Sequence, residues 1–393
     1  MSEKLVIPEL RFVEFEGDWQ YKQLDSFTEK IQDGTHFSPE LIPNGTRKYI
    51  TSKNIRNGIL DLSELDYISQ EAHEKIYSRC NVKYSDVLLT KDGAGTGNLC
   101  INYLKEEFSL LSSVAFIRAN DKVSTNFFIY QLLLSPEGQK EILRSIAGQA
   151  ITRITLTKLR NFNFCIPKLP EQQKIASFLT SIDERIRLLR DKKAQLQQYK
   201  KGIMQQLFSQ ELRFKPDHPA SEGKKENNYP DWEEKRLGEI LKVGSGKDYK
   251  HLNEGEIPVL GTGGVMIYVN DFLYEGESVC IGRKGTIDHP MFISGKFWTV
   301  DTLFYTHSFN QVIPYFVYLL FQMINWKKHN EASGVPSLSK ATIEKLTVLI
   351  PCQAEQQKIA SFLSAIDDAI SHVTDQITQT EHFKKGLLQK MFV

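Results

Sequence analysis

The nonapeptide EQQKIASFL, residues Glu171–Leu179, recurs without a change as Glu355–Leu363, and the rest of the chain is organised around that repeat. At the same shift Ile182-Asp183 reappears as Ile366-Asp367, Lys200-Lys201-Gly202 as Lys384-Lys385-Gly386, and Phe208 as Phe392. Two stretches of about 38 residues therefore correspond without a gap. In the first, Ile175, Leu179, Ile182, Ile186, Leu189, Lys193, Leu196, Lys200, Ile203 and Leu207 alternate steps of four and three, the spacing of a heptad seam. In the second, Ile359, Leu363, Ile366, Ile370, Val373, Ile377, Thr380, Lys384, Leu387 and Met391 keep the same steps. Each copy is expected to form a helix of roughly 55 Å at about 1.5 Å per residue. Such a one-sided stripe needs a partner, and the simplest partner is the other copy, as an antiparallel coiled coil. Charge agrees with that pairing, since residues 171–208 carry eight Lys/Arg against four Asp/Glu, and residues 355–392 carry four against five. Gly202 and Gly386 sit inside these helices, where Gly costs about 1 kcal/mol relative to Ala. Close helix approach is the expected reason.

A second set of repeats flanks the helices. Glu9-Leu-Arg-Phe12 and Asp18-Trp19, followed by Leu24, return as Glu211-Leu-Arg-Phe214 and Asp231-Trp232, followed by Leu237. Trp19 and Trp232 are expected to pack the start of each domain. The second Glu-Leu-Arg-Phe follows the first long helix directly, and the first stands where the next would come if the chain were closed into a ring. Within the two variable regions Asp86–Gly93 matches Ser278–Gly285, Phe128–Leu132 matches Phe316–Leu320, and Leu159–Pro167 matches Ile343–Pro351. The offset falls from 213 to 184 along these matches, as duplication followed by deletions requires. The expected fold is α+β: two mixed α/β domains separated by two long helices, with a pseudo-twofold cyclic organisation. Expected boundaries are 1–167 and 229–351 for the domains, 168–208 and 352–393 for the helices, and 209–228 for a linker.

Composition narrows the function. The net charge of +1 lacks the strong basic excess common in nucleic-acid binders. Five scattered cysteines with no Cys-x-x-Cys pair read as reduced thiols of a cytosolic protein. The N-terminus lacks the apolar core of an export signal. The apolar run Tyr315–Trp326 is too short for a membrane span and is expected to be a buried helix. No Asn-Pro-Pro-Tyr/Phe run and no Gly-x-x-x-x-Gly-Lys-Ser/Thr loop occurs, and the nine histidines are dispersed. Gly93-Ala-Gly-Thr-Gly97 reads as a tight loop. No metal site is expected, and positioning is a better fit than catalysis.

Ile-Pro-x-x-x-Glu-Gln-Gln-Lys-Ile-Ala, occurring twice after unlike domains and each time opening a helix that ends near Lys-Lys-Gly-hydrophobic, resembles the specificity subunit of a type I restriction-modification system. The resemblance spans essentially the whole chain. It implies that each variable domain is a target recognition domain reading one half of a split site in double-stranded DNA, while the paired helices set the unread spacer. It implies no catalysis and no cofactor in this chain. S-adenosylmethionine is expected on two modification subunits, which methylate adenine at N6, and ATP and Mg²⁺ on restriction subunits. Base readout favours Arg/Lys for guanine and Asn/Gln for adenine, with small or hydroxyl residues at close approach. The candidates in the first domain are Thr35 and His36, Lys53 and Asn54, Lys91 with Thr96 and Asn98, and Gln149 with Arg153. In the second they are Lys247, Thr262, and Arg283 and Lys284 with Thr286. Two alternatives stay open: a scaffold holding two protein-binding domains apart, and an enzyme with a site across both domains.

Overall fold

The computed structural model describes residues 7–56, 58–146, 152–216 and 228–393. The chain divides into two compact units, Met1–Arg190 with Asp375–Val393, and Asp191–Thr374. Two long helices, Leu169–Phe208 and Gln353–Met391, run through the division. Each unit therefore holds the first half of one long helix and the second half of the other. All the seam positions named above are buried or half-buried in both helices.

Three sheets recur in both units with the same topology. In the first unit Thr28–Asp33, Val114–Ala119, Val87–Thr90 and Leu99–Ile101 form an antiparallel sheet in that spatial order. A second sheet places Arg47–Ile50 between Asp66–Ile68 and, parallel to it, Ser109–Leu110. Gln20–Gln23 pairs with Asn163–Ile166 beside the start of the first long helix. The second unit repeats the scheme: Lys242–Ser245, Leu303–His307, Ser278–Gly282 and Met291–Ile293 form the first sheet. Glu254–Gly261 lies between Gly264–Val269 and the parallel strand Lys296–Thr299, with Tyr274–Glu275 outermost, and Glu233–Arg236 pairs with Thr347–Ile350. Among the strands of the first sheets, Val87–Thr90, Val114–Ala119 and Ser278–Gly282 are buried along their whole length and largely apolar, as strands covered on both faces must be. The helices Asn126–Leu134 and Pro314–Met323 supply much of that cover, so the run from Tyr315 is a core helix.

The repeated motifs explain how each domain is held to its helix. Arg11 donates from Nε and Nη2 to the two oxygens of Glu171, both at 2.8 Å, and Trp19 Nε1 donates to the same carboxylate at 3.2 Å. In the second unit Arg213 reaches Glu355 at 3.0 and 2.7 Å, and Trp232 Nε1 donates at 3.1 Å. The carboxylate raises the affinity of each arginine for its proton above the ordinary value. Both glutamates are buried. The next residue is buried too: Gln172 donates to the Pro167 and Val123 carbonyls, and Gln356 to those of Pro351 and Gln311. Phe12 packs edge-on against Phe178, as Phe214 does against Phe362, each pair at 5.7 Å between centroids. The repeated nonapeptide is thus a docking face for the domain that precedes it.

Helix halves also meet inside each unit. Ile175, Leu179, Ile182 and Ile186 share one buried cluster with Leu387, Leu388, Met391 and Phe392. Met204 and Leu207 share another with Ile359, Leu363 and Ile366. Lys384 Nζ lies 2.6 Å from Asp183, and Lys200 Nζ lies 2.7 Å from both oxygens of Asp367. The chain start takes up the ring-like place read from the sequence: Leu10 N donates to the Lys390 carbonyl at 2.8 Å, as Leu212 N does to that of Gln206 at 3.0 Å. One expectation is corrected. A Cβ at Gly202 or Gly386 would meet nothing within 4 Å, so close helix approach is not the reason for either glycine.

Two outcomes follow from this packing. Glu171→Ala or Glu355→Ala leaves a buried arginine contact and an indole without their acceptor, and each is expected to cost about 3 kcal/mol, seen as a lowered unfolding midpoint. Gly202→Ala and Gly386→Ala are each expected to raise the stability of the isolated chain by about 1 kcal/mol. A loss of stability in either glycine variant would show that the helix face is covered.

Candidate nucleic-acid interface

Each unit carries one cluster of loops at matching ends of its two larger sheets. In the first unit the hub is the turn Leu110–Val114. Thr35 N donates to the Leu110 carbonyl, Gly34 N to that of Val114, Lys91 N to that of Ser113, and Leu111 N to that of Ile50. In the second unit the hub is Thr299–Leu303. Lys247 N donates to Thr299, Gly246 N to Leu303, Arg283 N to Thr302 and Val300 N to Leu260, all to main-chain oxygens. A third segment closes each cluster, with Gly93 N and Ile154 N bonding Thr152 and Lys91, and Gly285 N and Leu338 N bonding Pro336 and Arg283. The glycines Gly34 and Gly246 are required: an added Cβ would lie 2.0 Å from the Leu110 oxygen and 1.9 Å from the Val300 oxygen. One backbone scheme is therefore built twice.

The side chains on that scheme differ. In the first unit His36, Lys91 and Arg153 come together around two carboxylates that the sequence reading missed. Lys91 Nζ lies 2.7 Å from Asp92 and 3.6 Å from Asp33; His36 Nε2 is 3.3 Å from Asp33, and Arg153 Nε is 3.2 Å from Asp92. Arg79 also approaches Asp33 at 3.6 Å and donates to the Gly34 carbonyl. At the matching positions of the second unit stand Ser245 in place of Asp33 and Lys284 in place of Asp92. Arg283 and Lys284 are exposed there, and Arg283 donates to the Asp301 carbonyl at 3.4 Å. The first cluster pairs its cations with carboxylates, whereas the second leaves Lys247, Arg283 and Lys284 exposed.

The individual candidates sort by exposure. His36, Lys53, Arg153, Lys247, Arg283, Lys284 and Thr286 are exposed, although Lys53 is paired with Asp66 at 2.8 Å. Thr96 and Asn98 are half-buried and hold the loop, Thr96 through the Gly93 carbonyl and Asn98 through that of Ile55. Thr262 lines an open cleft of ≈ 570 Å³ with Tyr249, Met266 and Thr302. Lys91, Asn54 and Thr35 are enclosed. Asn54 donates to the Asp61 and Glu64 carbonyls and accepts from Thr51 N, so it shapes its loop. This burial takes Lys91 and Asn54 out of the set of side chains a ligand meets in this conformation. Gln149 lies outside the described residues. Asp92 carried a faint signal, sitting immediately beside Lys91 in the sequence, whereas Asp33 stands two positions before Thr35.

The buried thiols are unreactive. Burial pushes the Cys80, Cys100 and Cys280 thiols up to about 12 and Cys165 up to about 11, so none offers a thiolate near neutral pH. Among the described residues no three His, Cys, Asp or Glu are grouped to hold a metal ion, and no helix is long and apolar enough to cross a membrane.

The family model for the type I restriction modification DNA specificity domain matches residues 16–198 and again 229–381, most of the chain and both halves of the repeat. The chain belongs to that family. It is 24% identical to the type I restriction enzyme MjaIX specificity subunit of Methanocaldococcus jannaschii, over 95% of this chain and 92% of that one. To the MjaVIII specificity subunit of the same organism it is 22% identical, over 94% and 91%. Its fold is similar to the crystal structure of a type I restriction-modification S subunit from M. genitalium, with a TM-score of 0.65, 18% identity and 99% of both chains covered.

Under native conditions iodoacetamide is expected to modify half-buried Cys352 before the four buried cysteines, which should react only on unfolding. Intact-mass analysis before and after denaturation checks this, and early labelling of Cys80 or Cys280 would contradict it.

Proposed function

We propose that this specificity subunit is the DNA-reading part of a type I restriction-modification complex, with one target recognition domain for each half of a bipartite site in double-stranded DNA. The observation that carries the reading is the doubled loop cluster: one hydrogen-bond scheme, repeated, presents His36 and Arg153 in one domain and Lys247, Arg283 and Lys284 in the other. A common frame lets both domains meet the duplex alike, and unlike side chains let them read different sequences. The domains span 1–167 and 229–351, joined by 209–228. The helices of 168–208 and 352–393 act as an antiparallel coiled-coil strut between them, which gives the assembly its pseudo-twofold character and fixes the spacer. Local pairings of Lys384 with Asp183 and of Lys200 with Asp367 support that register.

In this reading the chain performs no bond chemistry. Two modification subunits dock on the strut and supply S-adenosylmethionine; restriction subunits supply ATP and Mg²⁺; the complex works in the cytoplasm. The sites modified are adenines in both half-sites. A scaffold for two protein partners is the competing reading, favoured by the net charge of +1. It predicts no steep salt dependence of duplex binding, whereas phosphate contacts impose one.

Two measurements test the proposal. Arg283→Ala is expected to weaken binding roughly tenfold or more for changes confined to one half-site, and Arg153→Ala should act on the other half only. Equal loss on both halves would overturn separate readers. One heptad added to both helices adds roughly 10 Å of rise, and should lengthen the unread spacer by about three base pairs at about 3.4 Å each; an unchanged spacer would remove the strut.

A further inference from the structure

The second unit exposes an apolar edge strand. In its hairpin Glu254–Gly261 and Gly264–Val269, the outer strand leaves Val265, Met266, Ile267 and Tyr268 at 52%, 54%, 43% and 54% exposure. The matching strand of the first unit, Asp66–Ile68, ends in fully buried Ile68 and runs directly into the helix Gln70–Tyr77, capped by Ser69. Four successive apolar side chains on a free edge strand are a liability unless a partner meets them.

Charge around the hairpin indicates which partner. Its tip, Gly261–Gly264, carries no ionisable group, and its acids Glu254 and Glu256 stand at the opposite end. The tip adjoins the ≈ 570 Å³ cleft, whose wall includes Met266 and whose floor is Val300–Thr302. The same Thr299–Thr302 segment anchors the main chains of Lys247, Arg283 and Lys284, all exposed. Asp248 and Asp301 also line the cleft, which disfavours phosphate on its floor and suits the amino groups of bases. An apolar ribbon flanked by cations, with its acids turned away, fits base edges between two phosphate strands.

We propose that the tip of this hairpin enters the major groove of the half-site read by the second domain, where Met266 and Val265 recognise the C5-methyl group of thymine. A two-stranded ribbon fits that groove, and the thymine methyl is its one apolar base mark. The inference rests on the proposed DNA-reading function and adds a base preference to it. The matching strand of the first domain, Asp66–Ile68, presents no comparable exposed apolar run.

The test uses the full chain assembled with its modification subunits and duplexes carrying the split motif. Each thymine of the second-domain half-site is replaced by uracil, which lacks only the methyl group. Wild-type affinity is expected to fall about three- to tenfold at one such position. Met266→Ser should lose a similar factor on thymine DNA and show no further loss on uracil DNA, with Val265→Thr as a milder second variant. Undiminished recognition of the other half-site reports that the variants are folded. Unchanged wild-type affinity on uracil DNA, or a second half-site without thymine, would overturn the proposal. So would variants that bind DNA normally but no longer assemble with modification subunits, since the apolar edge would then be a protein-docking surface. If the wild-type complex recognises no split motif at all, the DNA-reading function itself fails, and this proposal with it.

Discussion

A single buried carboxylate at the start of each long helix ties this molecule together. Glu171 and Glu355 each gather a two-pronged arginine and an indole N–H that lie far away in sequence. Taking a carboxylate out of water is expensive, and it becomes tolerable only when the partners are all in place. The requirement couples three segments, Glu-Leu-Arg-Phe, Asp-Trp and the helix entry, so none can move without stranding the others. The adjacent glutamine pins the turn before the helix in the same manner. A domain held this way enters its helix in one orientation, and that is what a reader of fixed geometry needs.

The constraint frees the other end of each domain. The clasp and the antiparallel sheets fix the main chain of the loop clusters, and Gly34 and Gly246 allow that main chain to pack within van der Waals contact of a neighbouring carbonyl. The exposed side chains there, His36, Arg153, Lys247, Arg283 and Lys284 among them, answer to little packing demand. The two copies accordingly differ at the level of charge, with Asp33 and Asp92 pairing with the cations of one cluster and Ser245 and Lys284 leaving those of the other in solvent. A frame that tolerates such a change without altering its hydrogen bonds is suited to acquiring new ligand preferences.

Much of the frame was legible in the sequence. The heptad steps announced both long helices, because burial on one face imposes a period that survives any change of outward residues. The repeated tryptophans read correctly as packing, since both motif and spacing recurred around them. The site was less legible. Lys91 has the composition of a phosphate or guanine contact, yet its ammonium is held by its neighbour Asp92 at 2.7 Å and approached at 3.6 Å by Asp33, a residue 58 positions away that no local pattern connects to it. Asn54 looked like a base reader and is a loop clamp. The glycines of the long helices suggested tight packing and instead face open space. Met266 stands outside the candidate set because Val265–Tyr268 carries no charged or amide side chain, and its exposure on an edge strand is visible only in the fold.

The central claim is that one frame serves two independent readers. Single-molecule methylome sequencing of DNA from cells expressing this chain with its modification subunit tests it most directly. The account predicts a split motif with N6-methyladenine in both halves, appearing only when the chain is present. An assembled complex that leaves no such motif would contradict it.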